Sequence, residues 1–228
     1  LARAIELGLI LEGERLPPES QLADELGTAT VTLREALATL RERGLVETRR
    51  GRGGGTFVRR ETEAAARVPR ADRDGLLSQR LSGFTTLELR ELGDHRRAIS
   101  ATCAALAAER SLDHEVTRLR QRVDVLASAR TRSERRRADA QLWLEVAAAA
   151  QSSTLAREEL GLQARLGDLL WFGCDDADHA RAVAQRGRLV TAIASGSGAR
   201  ARALVDRTVD VDTERLVALR LRLYREAP

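Results

Sequence analysis

The sequence predicts a mainly α protein in which an N-terminal winged helix-turn-helix precedes a C-terminal all-α antiparallel helical bundle. Three observations carry that prediction. Two short amphipathic stretches follow a Pro-Pro pair, a Gly- and Arg-rich segment joins two β-prone runs, and the long remainder is rich in Ala, Leu, Arg and Glu and almost free of proline.

The elements follow in order. Leu1 to Ile10 reads as part of an opening helix. Pro17 and Pro18 break any preceding helix and suit the first turn of the next, in which Leu22 and Leu26 lie four apart and which Gly27 ends. A second stretch carries Val31, Leu33, Leu37 and Leu40, with Ala36 on the same side, as one apolar stripe, and leaves Thr30, Thr32, Arg34 and Arg41 on or near the other face. This is the expected recognition helix. Gly44 stops it, and residues 45–48 and 56–59 read as short strands joined by Arg49-Arg50-Gly51-Arg52-Gly53-Gly54-Gly55. A basic, flexible tip between strands is what a wing contacting phosphates or the minor groove requires.

Residues 61–75, with Pro69, Asp72, Asp74 and Gly75, read as a linker between domains at 1–60 and 76–228. Beyond it, helices are expected over 76–81, 86–109, 113–128, 133–151, 153–171, 177–195 and 198–223, with Gly161 and Gly167 as weak helix formers in the middle of the fifth. Leu119, Val123 and Leu126 form one buried stripe, and Leu142, Val146 and Ala149 another. Aromatic residues make up only 3% of the chain, so Leu, Val and Ala fill the core, with Trp143 and Trp171 as bulky exceptions.

Composition narrows the function classes. All 38 basic residues are arginine and the formal net charge is +4, too modest to establish nucleic-acid binding by itself. The distribution says more, because Arg49, Arg50, Arg52, Arg59 and Arg60 crowd the wing, whereas Arg135-Arg136-Arg137 reads as a solvated helix face. Cys103 and Cys174 lack CxxC spacing and no apolar run is long enough to span a membrane, so a reduced cytoplasmic protein with no membrane partner is expected. There is no P-loop, GxGxxG after a strand, HExxH or GxSxG, which argues against an enzyme. Cys174, Asp175, Asp176, Asp178 and His179 are ligand types, but acidic residues opening a helix more commonly cap it, and the spacing matches no recognised metal loop. His95 and His114 read as surface residues.

The ordered run Leu16-Pro17-Pro18-Glu19-Ser20-Gln21-Leu22-Ala23, Leu26-Gly27, Thr32-Leu33-Arg34-Glu35-Ala36-Leu37, Leu40, Gly44-Leu45-Val46-Glu47, Gly51-Arg52-Gly53 and Gly55-Thr56-Phe57-Val58 resembles the GntR family of bacterial transcriptional regulators. Members commonly place an arginine where this chain has Thr30. Arginine's fork reads guanine O6 and N7, whereas threonine suits phosphate or a thymine, so an unusual operator is expected. Thr30, Thr32, Arg34, Arg49, Arg50, Gly51 and Arg52 are the candidate DNA-binding residues, with a surface residue paired with Glu35 or Glu42 as the lesser reading of Arg34.

The C-terminal half resembles the all-helical effector domain of the FadR-like branch, through Leu87-Glu88-Leu89-Arg90, Ala107-Ala108-Glu109-Arg110, Asp139-x-x-Leu142, Val146-Ala147, Ser152 and Ala192-Ile193. The branch often holds a divalent metal on one aspartate and three histidines. Asp139 has the aspartate's place, but Trp143, Arg186 and Thr208 stand where histidines are expected, so the resemblance implies a lost metal site and no cofactor. It further implies that Arg186, with Arg90 facing the same cavity, holds an anionic ligand in the metal's stead, with Trp143 stacking on it. Packing alone for Trp143, and a ligand-free pair with Asp139 for Arg186, are the alternatives. Together these readings imply a homodimeric repressor on a palindromic duplex operator, controlled by a small anionic or acyl metabolite. A constitutive DNA-binding protein without effector and a metal-responsive regulator remain the other readings.

Overall fold

A computed structural model describes residues 1, 2, 5, 13–25, 28–49, 51, 53–59 and 70–226, which separate into two compact units at Asp72/Arg73. Arg50, Arg52, Gly27, most of the expected opening helix and residues 61–69 of the expected linker lie outside the described residues.

The first unit contains α1 (Glu19–Glu25), α2 (Thr30–Glu42), β1 (Val46–Arg49) and β2 (Gly55–Val58). The two strands pair antiparallel from Val46↔Val58 to Arg49↔Gly55, so each lies one residue away from the expected range, displaced in opposite directions. The segment before the Pro-Pro pair was not expected to join the sheet. It lies along the other edge of β2, where Gly13 and Leu16 N–H donate to the Val58 and Thr56 carbonyls and Val58 N–H to that of Glu14. The wing is thus anchored on both sides. Ile5, Leu16, Leu22, Leu33, Leu37, Leu40, Val46 and Val58 close one small core beneath it.

The stripe on α2 needs correction. Leu33, Leu37 and Leu40 are buried, but Val31 is 66% exposed and Ala36 is exposed too. A short helix over a small core can bury only a narrow arc, and Val31 falls outside it.

The second unit is helical among the described residues: α3 (Arg70–Ser82), α4 (Thr86–Arg110), α5 (Asp113–Ser128), α6 (Arg132–Ala149), α7 (Ser153–Leu170), α8 (Asp176–Ala194) and α9 (Gly198–Glu226). Helix α3 starts at Arg70, inside the stretch expected as linker, and α7 runs unbroken through Gly161 and Gly167, as the expected range has it. Local chemistry sets several starts. Thr85 with Glu88, Thr131 with Glu134, and Asp175 with Asp178 form reciprocal capping boxes, and Ser152 accepts from Leu155 N–H. None of these helices is long and apolar enough to cross a membrane.

The long helices α4 and α9 lie against each other along most of their length. Close approach is possible because Gly93 of α4 faces Thr213: a Cβ at that glycine would sit 2.4 Å from Thr213 Oγ1. Further along, Ala101, Ala104, Ala107 and Ala108 pack in one cluster with Ala201, Val205 and Val209. A second cluster gathers Leu81, Leu89, Leu92, Leu126, Leu162, Leu166, Leu169 and Trp171.

Candidate nucleic-acid interface and buried polar cluster

The first unit presents α2 and the wing to solvent. Thr30 is half-buried at the start of α2, while Thr32 and Arg34 are exposed. Ala29, the N-cap, supplies no side-chain oxygen. Arg34 Nε donates to Glu19 Oε2 on α1 at 2.7 Å, so its partner is neither Glu35 nor Glu42. With side-chain exposures of 65% and 41% the pair is a weak, solvent-screened tether that a phosphate can displace. Arg49 is ordered by Glu47, 2.8 Å from its Nε, and its guanidinium carbon lies 4.6 Å from the Phe57 ring centroid. At the tip, Gly54 N–H donates to the Gly51 carbonyl at 2.8 Å, and Gly51 takes φ 98°, a conformation few other residues tolerate. Arg15 was missed by sequence reasoning. It bridges to Phe57, and its Nε would lie 2.6 Å from a Cβ on Gly55, which places another cation at the wing's base.

In the second unit, five helices bring polar side chains into the core. Asp139 (α6) and Arg186 (α8), 3% and 4% exposed, form a two-pronged ion pair: Arg186 Nε to Oδ1 at 2.9 Å and Nη2 to Oδ2 at 3.2 Å. Trp171 Nε1 also donates to Oδ2, at 3.2 Å. Burial works against the Arg186 charge, but Asp139 outweighs it and holds the guanidinium above its ordinary pKa.

Trp143, 1% exposed, receives two cations: the guanidinium carbons of Arg186 and Arg96 lie 4.9 and 5.5 Å from its ring centroid. Arg96 Nη1 donates to Asp212 of α9 at 2.6 Å. Its Nε and Nη2, together with Arg186 Nη1 and Trp143 Nε1, are buried with no hydrogen-bond partner among the described residues. Nearby, the fully buried Glu159 accepts from Ser100 Oγ at 2.6 Å and Gln163 Nε2 at 2.7 Å. Burial is the main reason its carboxyl is raised above the usual range, opposed by those two bonds and the Arg96 charge and aided by Asp139.

The candidate ligand residues therefore divide. Asp139, Trp143 and Arg186 come together. Thr208 is buried, but its hydroxyl donates to the Leu204 carbonyl one turn back on α9. Arg90, expected to face the cavity, is exposed on α4. Arg96 occupies the inward position instead, because α4 buries Leu89, Leu92, Gly93, Arg96 and Ser100 at helical spacing and Arg90 falls off that line. An arginine on an apolar stripe was the signal in the sequence, as were Glu159 and Gln163 on the buried side of α7.

A metal does not fit these residues. Both Asp139 oxygens accept from Arg186 or Trp171, and a fixed guanidinium beside them repels a cation. The acidic run is likewise committed elsewhere. Asp175 and Asp178 cap α8, Asp176 accepts from Arg135 at 2.6 Å, His179 Nε2 lies 2.7 Å from the Leu126 carbonyl, and Cys174 Sγ bonds the Leu170 carbonyl. A surface groove of 540 Å³ is lined by Asp176, Arg135 and His179 from those contacts together with Ser128 and Arg130. Of the two surface histidines, His95 stands 3.6 Å from Glu158, and His114 is exposed.

Residues 1–58 match the family described as bacterial regulatory proteins, gntR family, and residues 91–210 match the FCD domain. The chain is 43% identical to an HTH-type transcriptional regulator of Mycobacterium gastri, RmpR, over 90% of its own length and 73% of the relative's. The Exu regulon transcriptional regulator of Escherichia coli is 28% identical over 68% of this chain and 56% of its own. Among solved structures, E. coli McbR/YncC superposes with a TM-score of 0.51 at 16% identity, covering 98% of this chain and 93% of that one, a likeness of fold alone.

Proposed function

This chain belongs to the GntR family of bacterial regulatory proteins, in the branch with an FCD domain, and from that premise we propose a repressor controlled by a small organic anion. That it is a DNA-binding transcriptional regulator and not an enzyme follows from membership; the repression and the effector are the proposal. One observation supports the effector: four buried N–H groups of Arg96, Arg186 and Trp143 without a hydrogen-bond partner among the described residues. A buried donor left without an acceptor costs about 1–3 kcal/mol, more when charged. On Arg96 the open pair is Nε and Nη2, the side-on fork that takes a carboxylate through two parallel bonds.

Two copies would place their α2 helices in successive major grooves of a palindromic operator, with Thr30, Thr32 and Arg34 on the duplex and Arg49, Arg50, Gly51 and Arg52 in the wing. The effector weakens DNA binding only as far as it prefers the non-binding arrangement. The test is selection of genomic fragments by the purified protein at near-physiological salt, footprinting, and release of the recovered site by a panel of carboxylic acids. A protected palindrome released by one acid, with release lost in Arg96→Lys and DNA affinity kept, supports the reading. A site that no acid or phosphate ester releases makes the protein a constitutive binder.

A further inference from the structure

The exposed face of α2 carries an apolar side chain that neither the fold nor the expected phosphate contacts use. Val31 is 66% exposed at the second position of the helix. At 100° per residue it stands about 180° round the axis from Leu40 and about 160° from Leu33, both buried, so it occupies the outermost line of the helix. Glu35 lies one turn further along the same line and is exposed as well. A line headed by an isopropyl group and followed by a carboxylate has nothing to offer phosphates, and the carboxylate repels them. Base edges are its natural counterpart. There, the apolar group displayed in the major groove is the thymine 5-methyl, which the minor groove does not show.

We propose that Val31 is a specificity-determining residue that reads the 5-methyl group of a thymine in the major groove. The proposal rests on α2 being the DNA-reading helix. Thr30 on one side of Val31 has no fork for guanine, and the Arg34 guanidinium is directed at Glu19 on α1. The first turn of α2 therefore selects bases through shape and methyl contact more than through paired hydrogen bonds. Among the described residues Val31 takes no part in the unit's core, so Val31→Ala leaves the fold intact and adds helix propensity.

The experiment selects duplexes from a random pool with the wild-type protein. Each thymine of the recovered site is then replaced in turn by deoxyuridine, which pairs identically and lacks only the methyl. At one thymine the wild type should lose about four-fold in affinity, the worth of one methyl withdrawn from water, while Val31→Ala binds thymine and uracil sites equally. The proposal is overturned if no thymine responds, if the response persists in Val31→Ala, or if no fixed thymine is recovered. Arg34→Ala separates this from failure of the underlying reading. If it weakens binding while Val31→Ala is silent, α2 still reads DNA and only the methyl contact is wrong; if both are silent, α2 is not the reading helix.

Discussion

Removing the Asp139 carboxylate tests the account of the buried cluster most directly. Asp139→Ala strips the Arg186 guanidinium of both bonds in a site where the two side chains are 4% and 5% exposed, and leaves Trp171 Nε1 without its acceptor. Breaking a buried ion pair on one side costs about 3–5 kcal/mol, and an orphaned indole N–H adds about 1–3 kcal/mol. With partial relaxation the loss should be about 4–6 kcal/mol, a large fraction of a domain's stability. Urea unfolding followed by circular dichroism measures it, and the midpoint should fall with an unchanged m-value. In a thermal scan the same loss lowers Tm by about 10–20 °C. The double variant Asp139→Leu, Arg186→Met should return to within about 2 kcal/mol of wild type, because it removes both charges and not only one. A loss below about 1 kcal/mol in Asp139→Ala, or no recovery in the double variant, would refute the description of Arg186 as a buried cation held by one carboxylate.

Four further outcomes are expected. Glu159 keeps its proton in the folded protein above the ordinary value of 4.5 at which the unfolded chain releases it, so its contribution to stability falls as pH rises from there towards its folded pKa. The stability difference between Glu159→Gln and wild type should therefore shift in the variant's favour with rising pH across that window, and a pH-independent difference in denaturant titrations would contradict the burial argument. Gly93→Ala drives a Cβ to 2.4 Å from Thr213 Oγ1 and 3.1 Å from Cγ2, which overpacking values put at about 1–3 kcal/mol, partly offset by up to about 1 kcal/mol of helix propensity. Calorimetry should show a net loss that disappears when the same change is made in a Thr213→Ala background. Arg34→Ala should weaken operator binding by about ten-fold and flatten its salt dependence by about one ion per protomer, read by fluorescence anisotropy at several salt concentrations. Burial pushes the Cys103 thiol up to about 12, so in thiol titration it should stay unreactive at pH 8 until denaturant is added.

Much of this protein was legible in its sequence because short-range chemistry carried it. The Pro-Pro pair, the three leucines of α2, the glycines of the wing and the acidic cap at Asp175 each act within a few residues, and the elements they specify formed where expected to within a few positions. The Asp139–Arg186 ion pair, one of the contacts the sequence offered for these two residues, is present.

What the sequence alone could not decide depends on which arc of each helix the others cover. Periodicity counts Val31 with Leu33, Leu37 and Leu40 as apolar, but only the width of the small core beneath α2 determines that it stays outside. Arg90 and Arg96 are indistinguishable as residue types, and their fates are set by the line along which α4 meets its neighbours: one points to water, the other to the Trp143 ring. The same holds for Glu159, Ser100 and Gln163, whose meeting joins residues from different helices. Tertiary packing fixes such choices because burial is shared between elements, and the cost of a buried charge depends on partners that lie far away in the chain.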